Sequence, residues 1–184
     1  MTAEPGSLTT ERTRLRLWRP DEADRFLDTY SRWEVARWLG ATPTLLRSRE
    51  DAVARIERWA ERSAEHPGQG LWAVERIADG VVAGTVLLVP VPGGDGELEV
   101  GWHLHPDSWG HGYATEAARA VVDRAFADGL GHVIAVVRPG NAASTAVCAR
   151  LGMEPLGVTD RYYDTDMEAF RLASPGMGGD TTSH

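Results

Sequence analysis

Leu15 and Leu17 alternate with Arg14, Arg16 and Arg19, the two-residue period of a half-exposed strand. Pro20, Asp21 and Glu22 then predict a helix start, because proline's fixed φ suits a first turn and acids suit the positive end of the helix dipole. Trp33, Val35, Trp38 and Leu39 extend an irregular helical region, and an amphipathic helix over 49–65 follows, stopped by His66, Pro67 and Gly68. Apolar runs at 71–77 and 81–89 flank Ala78, Asp79 and Gly80, which reads as a β-hairpin. The loop VPGGDG leads into a third strand over 97–105. After Pro106 the period lengthens: Ala114, Ala117, Ala118, Val121, Val122, Ala125 and Phe126 recur at helical spacing. The apolar run 133–137 predicts a strand buried on both faces, the habit of a parallel pair. Asn141 opens another helix, Gly152 ends it, and short strands around Leu156 and over 167–172 close the chain without any internal repeat.

This alternation of strands and helices over 184 residues fits one α/β domain of the α+β type spanning 8–172, with residues 1–7 and 173–184 expected as mobile polar ends. Charge narrows the partners. The 19 basic and 27 acidic residues leave −8, which disfavours a nucleic-acid binder and suits an amine-bearing substrate. The chain has no lysine, so a P-loop lacks its essential side chain. No apolar stretch reaches the roughly 18 residues of a membrane span, and residues 1–10 lack the features of a signal peptide. The single cysteine, Cys148, fits a reducing compartment, so a cytoplasmic location is expected.

Chemistry concentrates in GWHLHPDSWGHGYATEAARAV, a strand, a turn with two glycines and a helix. Gly110 and Gly112 let backbone approach an anion closely, and the unpaired amides of the helix start suit a diphosphate. A tight strand-to-helix turn with no ligand is the plainer reading. A Rossmann site is disfavoured, because GHGYAT lacks the third glycine of GxGxxG.

WGHGYA followed by TEAARAV resembles the acetyl-CoA pyrophosphate loop of the GNAT N-acetyltransferase superfamily. Trp109 stands where that family usually has Gln or Arg, a departure familiar in the branch resembling ribosomal-protein N-terminal acetyltransferases. NAASTAVCARLGM resembles the same branch's N-x-x-S helix, with Met153 replacing Phe, and LTTERTRLRLWRPDEAD resembles its first strand and helix. The resemblance implies a GNAT fold: about seven strands in a mixed, largely antiparallel sheet, a splayed V between two parallel central strands, and about four flanking helices. It implies acetyl-CoA as co-substrate, with backbone at His103 and Leu104 along the pantetheine arm. Gly110, His111, Gly112, Tyr113, Ala114 and Thr115 would hold the diphosphate, and Asn141 the pantetheine amide. Asn141 reads equally as a helix N-cap, and the two roles are compatible.

Acetyl transfer to an amine needs a neutral nucleophile, a donor for the developing oxyanion and a proton for the leaving thiolate. A backbone amide near a bulge in the 97–105 strand is the expected oxyanion donor. Glu99 is the candidate base, with Glu97, His103 and Asp107 as competitors; its plain reading is a polar residue on an open sheet face. The family's usual proton-donating tyrosine is replaced by Cys148, expected to be a packing residue, which leaves Ser144 as candidate acid. Ser144 reads alternatively as a first-turn residue bonding the backbone. Val136 stands where one group of protein acetyltransferases has an acidic base, so that group's mechanism does not transfer. Trp33, Trp38, Trp72, Tyr162 and Tyr163 are acceptor-pocket candidates, of which Trp38 and Tyr163 are the two selected, with Arg161 expected in solvent. The expected acceptor is a peptide N-terminus or small-molecule amine, with the protein a monomer or homodimer that binds no metal, nucleic acid or membrane. The competing readings are a non-catalytic acyl-CoA sensor and a zinc hydrolase using His103, His105 and His111.

Overall fold

The computed structural model describes residues 7–176. Strands β1 (Leu8–Thr9) and β2 (Thr13–Leu17) lead to a 3₁₀ turn at Pro20–Glu22, then α1 (Ala23–Tyr30), α2 (Trp33–Ala36) and α3 (Arg49–Glu65). Three antiparallel strands follow: β3 (Gly70–Arg76), β4 (Val82–Pro90) and β5 (Leu98–Leu104). A second 3₁₀ turn, Pro106–Ser108, precedes α4 (Tyr113–Ala127), β6 (His132–Val137), α5 (Ala142–Leu151), β7 (Glu154–Thr159) and β8 (Met167–Ala173). The sheet has eight strands in the order β1-β2-β3-β4-β5-β6-β8-β7. The strand beyond the expected seven is the two-residue β1, and the helix beyond the expected four is the single turn α2. Ala173, expected in the tail, ends β8, while 177–184 lie outside the described residues.

Helices cover both faces of the sheet. Against one face, Ala117, Ala118, Val121 and Val122 of α4 and Val147 of α5 bury themselves on Val74, Val86, Leu88 and Val100. Paired alanines let α4 approach closely, and each valine buried there contributes roughly 1.5–3 kcal/mol. On the other face, Phe26, Tyr30 and Ile56 pack with Trp18 and Ala73. The polar phase of β2 does not face solvent throughout: Arg16 is 3% exposed. Its guanidinium is held by Glu75 and Glu22, and Glu22 also accepts from the Arg19 amide at 2.9 Å, which tucks the Pro20 turn onto the sheet.

Among the described residues only β5 and β6 pair in parallel, and their register contains one bridge, Glu99 with Ile134. Beyond it the strands diverge. The β4–β5 register is regular from Leu98 to Leu104, so the expected bulge is absent. His105 donates its amide to the Ala83 carbonyl (2.8 Å) and Val91 donates to the Glu97 carbonyl (3.0 Å). In an antiparallel ladder this phase commits odd-numbered residues of β5 to β4 and turns the backbone of Val100, Trp102 and Leu104 toward the gap.

Candidate active site

A cavity of about 140 Å³ occupies the divergence. Alternate side chains of β5 place Glu99, Gly101 and His103 along its floor, while Trp38, Leu39 and Gly40 from the loop after α2 border it. Gly101 leaves a gap between the two polar residues: a Cβ there would lie 3.1 Å from Leu87 Cδ1. Asn141 and Ser144 line the same space, as do Val100 and Trp102 from the opposite phase of β5. The cavity therefore reaches through the split, joining the α1–α3 side of the sheet to the start of α5.

Glu99 is not on an open face. It is 7% exposed, and burial pushes its carboxyl from the ordinary 4.5 up to about 7. The Tyr163 hydroxyl donates to Glu99 Oε2 at 2.5 Å, opposing that rise. Tyr163 has φ +61°, a left-handed conformation that costs a non-glycine residue on the order of 1–3 kcal/mol. Its amide bonds the Pro92 carbonyl at 3.1 Å, which fixes this turn beside the base. Desolvation, and then the neighbouring Glu99 carboxylate, raise the phenol above its ordinary range.

His103 lines the cavity, and burial lowers its imidazole to about 4, so the ring is neutral near pH 7. Tyr30 Oη lies 3.3 Å from His103 Nδ1 and 2.7 Å from Thr85 Oγ1, which also accepts from Trp18 Nε1 (3.0 Å). The strand phase corrects one expectation. His103's own amide and carbonyl face β4, and the free backbone edge belongs to Trp102 and its even-numbered neighbours. The Leu104 carbonyl already accepts the Trp109 indole N–H at 2.9 Å.

Gly110 and Gly112 adopt φ +77° and +83°, left-handed values that favour glycine, and Gly112 caps α4. The amides of Tyr113, Ala114 and Thr115 in the first turn of α4 precede the first intrahelical bond, Glu116 to Gly112. Thr115 Oγ1 is buried without a hydrogen-bond partner among the described residues. The three amides at the start of α4 are thus free to donate to an anion. Arg12 braces the turn, donating to the His111 carbonyl at 2.9 Å and to Glu116 Oε2 at 2.7 Å. Burial opposes ionisation of Glu116, yet bonds from Thr10 and Arg12 hold its carboxyl below the usual range. That pairing offsets a negative charge which would otherwise face an incoming phosphate. His111 is exposed and stacks on Tyr113 with ring centroids 5.7 Å apart.

Asn141 caps α5, its Oδ1 accepting the Ser144 amide at 3.2 Å, which leaves its amide nitrogen for another partner. Thr145, one residue beyond Ser144, bonds the Asn141 carbonyl through its own hydroxyl (3.3 Å). Cys148 is fully buried and its thiol is pushed up to about 12 by burial, so it packs and does not ionise.

Among the other aromatic candidates, Trp72 and Tyr162 are core residues and Trp33 is 56% exposed, away from the cavity. Arg161 is exposed, as expected, and it also pairs with Glu97 at 2.8 Å, thereby occupying one competing base. Asp107 is held below the usual carboxylate range chiefly by the Arg25 hydrogen bond. The three histidines of the zinc reading are not brought together, and His105 has other partners. His105 is 7% exposed at its side chain, with Nε2 3.0 Å from Asp28 and Nδ1 accepting the Asp107 amide at 3.2 Å. Among the described residues no three His, Cys, Asp or Glu side chains converge as a metal site. Arg138 was not legible from sequence. It lines the cavity while its Nη2 bonds the carbonyls of Gly40 (2.7 Å) and Ala41, tethering the covering loop across about a hundred residues.

A sheet split at one parallel pair, a carboxyl-bearing cavity at the split and a glycine turn feeding a helix beyond it make up the site of a protein whose family match defines it as an acetyltransferase. The chain belongs to the GNAT acetyltransferase family: the Acetyltransferase (GNAT) domain matches residues 12–154. It is 29% identical over 168 residues to the uncharacterized N-acetyltransferase YoaA of Bacillus subtilis, covering 87% of this chain and 93% of that protein. It is 29% identical over 130 residues to the L-methionine sulfoximine/L-methionine sulfone acetyltransferase of Pseudomonas aeruginosa, covering 62% and 76%. A GNAT-family acetyltransferase from Bacillus anthracis superposes with a TM-score of 0.74 at 21% identity, covering 91% and 98% of the chains. The ribosomal-protein-S5-alanine acetyltransferase of Vibrio fischeri gives 0.71 at 20% identity, covering 92% and 97%.

Proposed function

We propose that the protein transfers acetyl from acetyl-CoA to a primary amine, either a peptide N-terminus or a small molecule, by direct attack in a ternary complex. The observation that carries this reading is Glu99, a buried carboxyl that lines the cavity at the single β5–β6 bridge and that burial pushes up to about 7. A base with that pKa is half-deprotonated at neutral pH and strong enough to take a proton from an ammonium. Acetyl-CoA, when bound, supplies the activated thioester. Gly110 to Thr115 bind its diphosphate, Asn141 and the even-numbered backbone edge of β5 orient its arm, and the Trp102 amide stands in the phase to stabilise negative charge on the carbonyl oxygen. Glu99, hydrogen-bonded to Tyr163, takes the amine proton, and Trp38 covers the acceptor. Ser144, beside Asn141, returns a proton to the departing thiolate. The single cysteine supports a cytoplasmic location, and among the described residues no helix is long and apolar enough to cross a membrane.

Free-thiol release from acetyl-CoA, measured over a panel of primary amines, tests the activity. Turnover is expected with at least one class. Binding of acetyl-CoA without turnover of any amine would instead support an acyl-CoA sensor. Ser144→Ala is expected to lower kcat about tenfold with little change in the KM for acetyl-CoA. A kcat within about twofold of the parent, roughly 0.4 kcal/mol on the barrier, would remove Ser144 from the mechanism.

A further inference from the structure

Helix α3 carries three of its four arginines on one side and three of its five acids on the other. With 100° per residue, Arg55, Arg58 and Arg62 fall within about 60° of one another, on one side of the buried stripe carrying Ala52 and Ile56. Glu50, Glu57 and Glu61 fall on the other side, while Asp51 falls among the three arginines and Glu65 stands three residues beyond Arg62. Arg58 and Arg62 are four apart, a like-charge spacing that weakens an isolated helix. Among the described residues none of these three arginines makes an ion pair, whereas Arg49 at the start of the helix pairs with Asp24 at 3.0 Å. Arg55 and Arg58 join Arg47 in lining a groove of about 280 Å³ between α3 and the segment 44–47, with Asp51 as its one carboxylate.

The C-terminal end of the arginine edge lies on the side of the sheet that bears the catalytic cavity. Trp59, beside it on α3, packs on Leu87 and Val89, which form the cavity wall. Arg62 is close enough to Tyr163 to favour its phenolate. From Arg62 back to Arg55 the helix rises about 10 Å, the span of roughly three extended residues. At physiological salt the field of the chain's net −8 is screened within about 8 Å, so a ligand lying on this edge meets the local arginines first.

Resting on the reading of Glu99 as the base that receives an amine, we infer that the acceptor is a peptide N-terminus followed by acidic residues, which lie along Arg62, Arg58, Arg55 and Arg47. The acids act at about the third to fifth positions, one to three residues beyond the part enclosed by the cavity. Each exposed ion pair contributes a factor of about two, so three contribute about tenfold.

The test compares peptides with one N-terminal residue and aspartate, alanine or arginine at positions three to five. For the unaltered protein kcat/KM is expected to favour the acidic peptide over the alanine peptide about tenfold, chiefly through KM, and the ratio should collapse in about 0.5 M salt. In the Arg55→Glu, Arg58→Glu double variant the preference should invert toward the arginine peptide, with acetylation of a small neutral amine unchanged. Equal use of the three peptides by the unaltered protein, or an acidic preference that survives the double reversal, would overturn the inference. Fluorescence anisotropy with the same peptides reads docking without turnover. Charge-dependent binding with no acetylation would therefore refute the proposed acetyl transfer to a peptide amine and leave the docking edge standing.

Discussion

Glu99→Gln is expected to lower kcat/KM by about 10²-fold or more at pH 7.5 while raising thermal stability at the same pH. The amide keeps the shape of the side chain and still accepts the Tyr163 hydroxyl, so the cavity is preserved and only the proton acceptor is lost. The stability change follows from linkage. Burial raises the folded carboxyl from 4.5 to about 7, so the folded state prefers the protonated form. Stability is therefore full below the unfolded pKa and falls as pH rises to about 7, by roughly 3 kcal/mol. Glutamine, which never ionises, escapes that loss at alkaline pH. In the parent the acid limb of kcat/KM should bend near pH 7, and in the variant that bend should disappear, leaving the acceptor's own titration. Amines with pKa near 10.4 should suffer more than α-amines near 7.7–8.0, because a lysine-like amine must surrender its proton against a larger gap. A variant matching the parent from pH 6 to 9 would refute the base assignment and leave the family membership untouched.

Much of this site was readable in the sequence because its local parts obey short-range rules. Asn141 caps α5, Gly152 ends it with φ +80°, and the alanine-valine period of α4 marks the buried face. What the sequence withheld depends on register and on distant partners. Whether odd or even residues of β5 face the split is set by pairing with β4, so His103 and Trp102 could not be distinguished beforehand. The burial of Glu99 arises from the turn containing Tyr163, 64 residues away. The brace between Arg12 and Glu116 joins residues 104 apart and has no periodic signature. Strand β7 is almost wholly exposed at the sheet edge and carries Pro155 and Gly157, so apolar alternation announces it only weakly.

Gly112→Val is expected to weaken acetyl-CoA binding by tenfold or more while the protein remains folded. At φ +83° a β-branched side chain is strained, and its Cβ would stand 3.3 Å from Arg12 Nη2. The strain costs on the order of 1–3 kcal/mol against a typical total of 5–15, so the fold survives. Relief comes most readily by rotating the 111–112 peptide. That peptide is held by Arg12, which draws the His111 carbonyl to one side and thereby sends the Gly112 amide to the other. Rotation breaks the Arg12 bond and misdirects the amide, so the loss appears in anion binding. Gly129 supplies the control: it has φ +97°, open space for 4 Å around the point where a Cβ would stand, and a place beyond the far end of α4. Gly129→Val should therefore lose comparable stability and keep its acetyl-CoA affinity. Calorimetry on both variants separates general strain from damage to the diphosphate cradle. Equal affinities in the two would show that the glycine turn shapes the chain and holds no phosphate. The same comparison with S-acetylpantetheine, which lacks the diphosphate, should show no difference between Gly112→Val and the parent in kcat/KM, because the substituted turn then has no anion to hold.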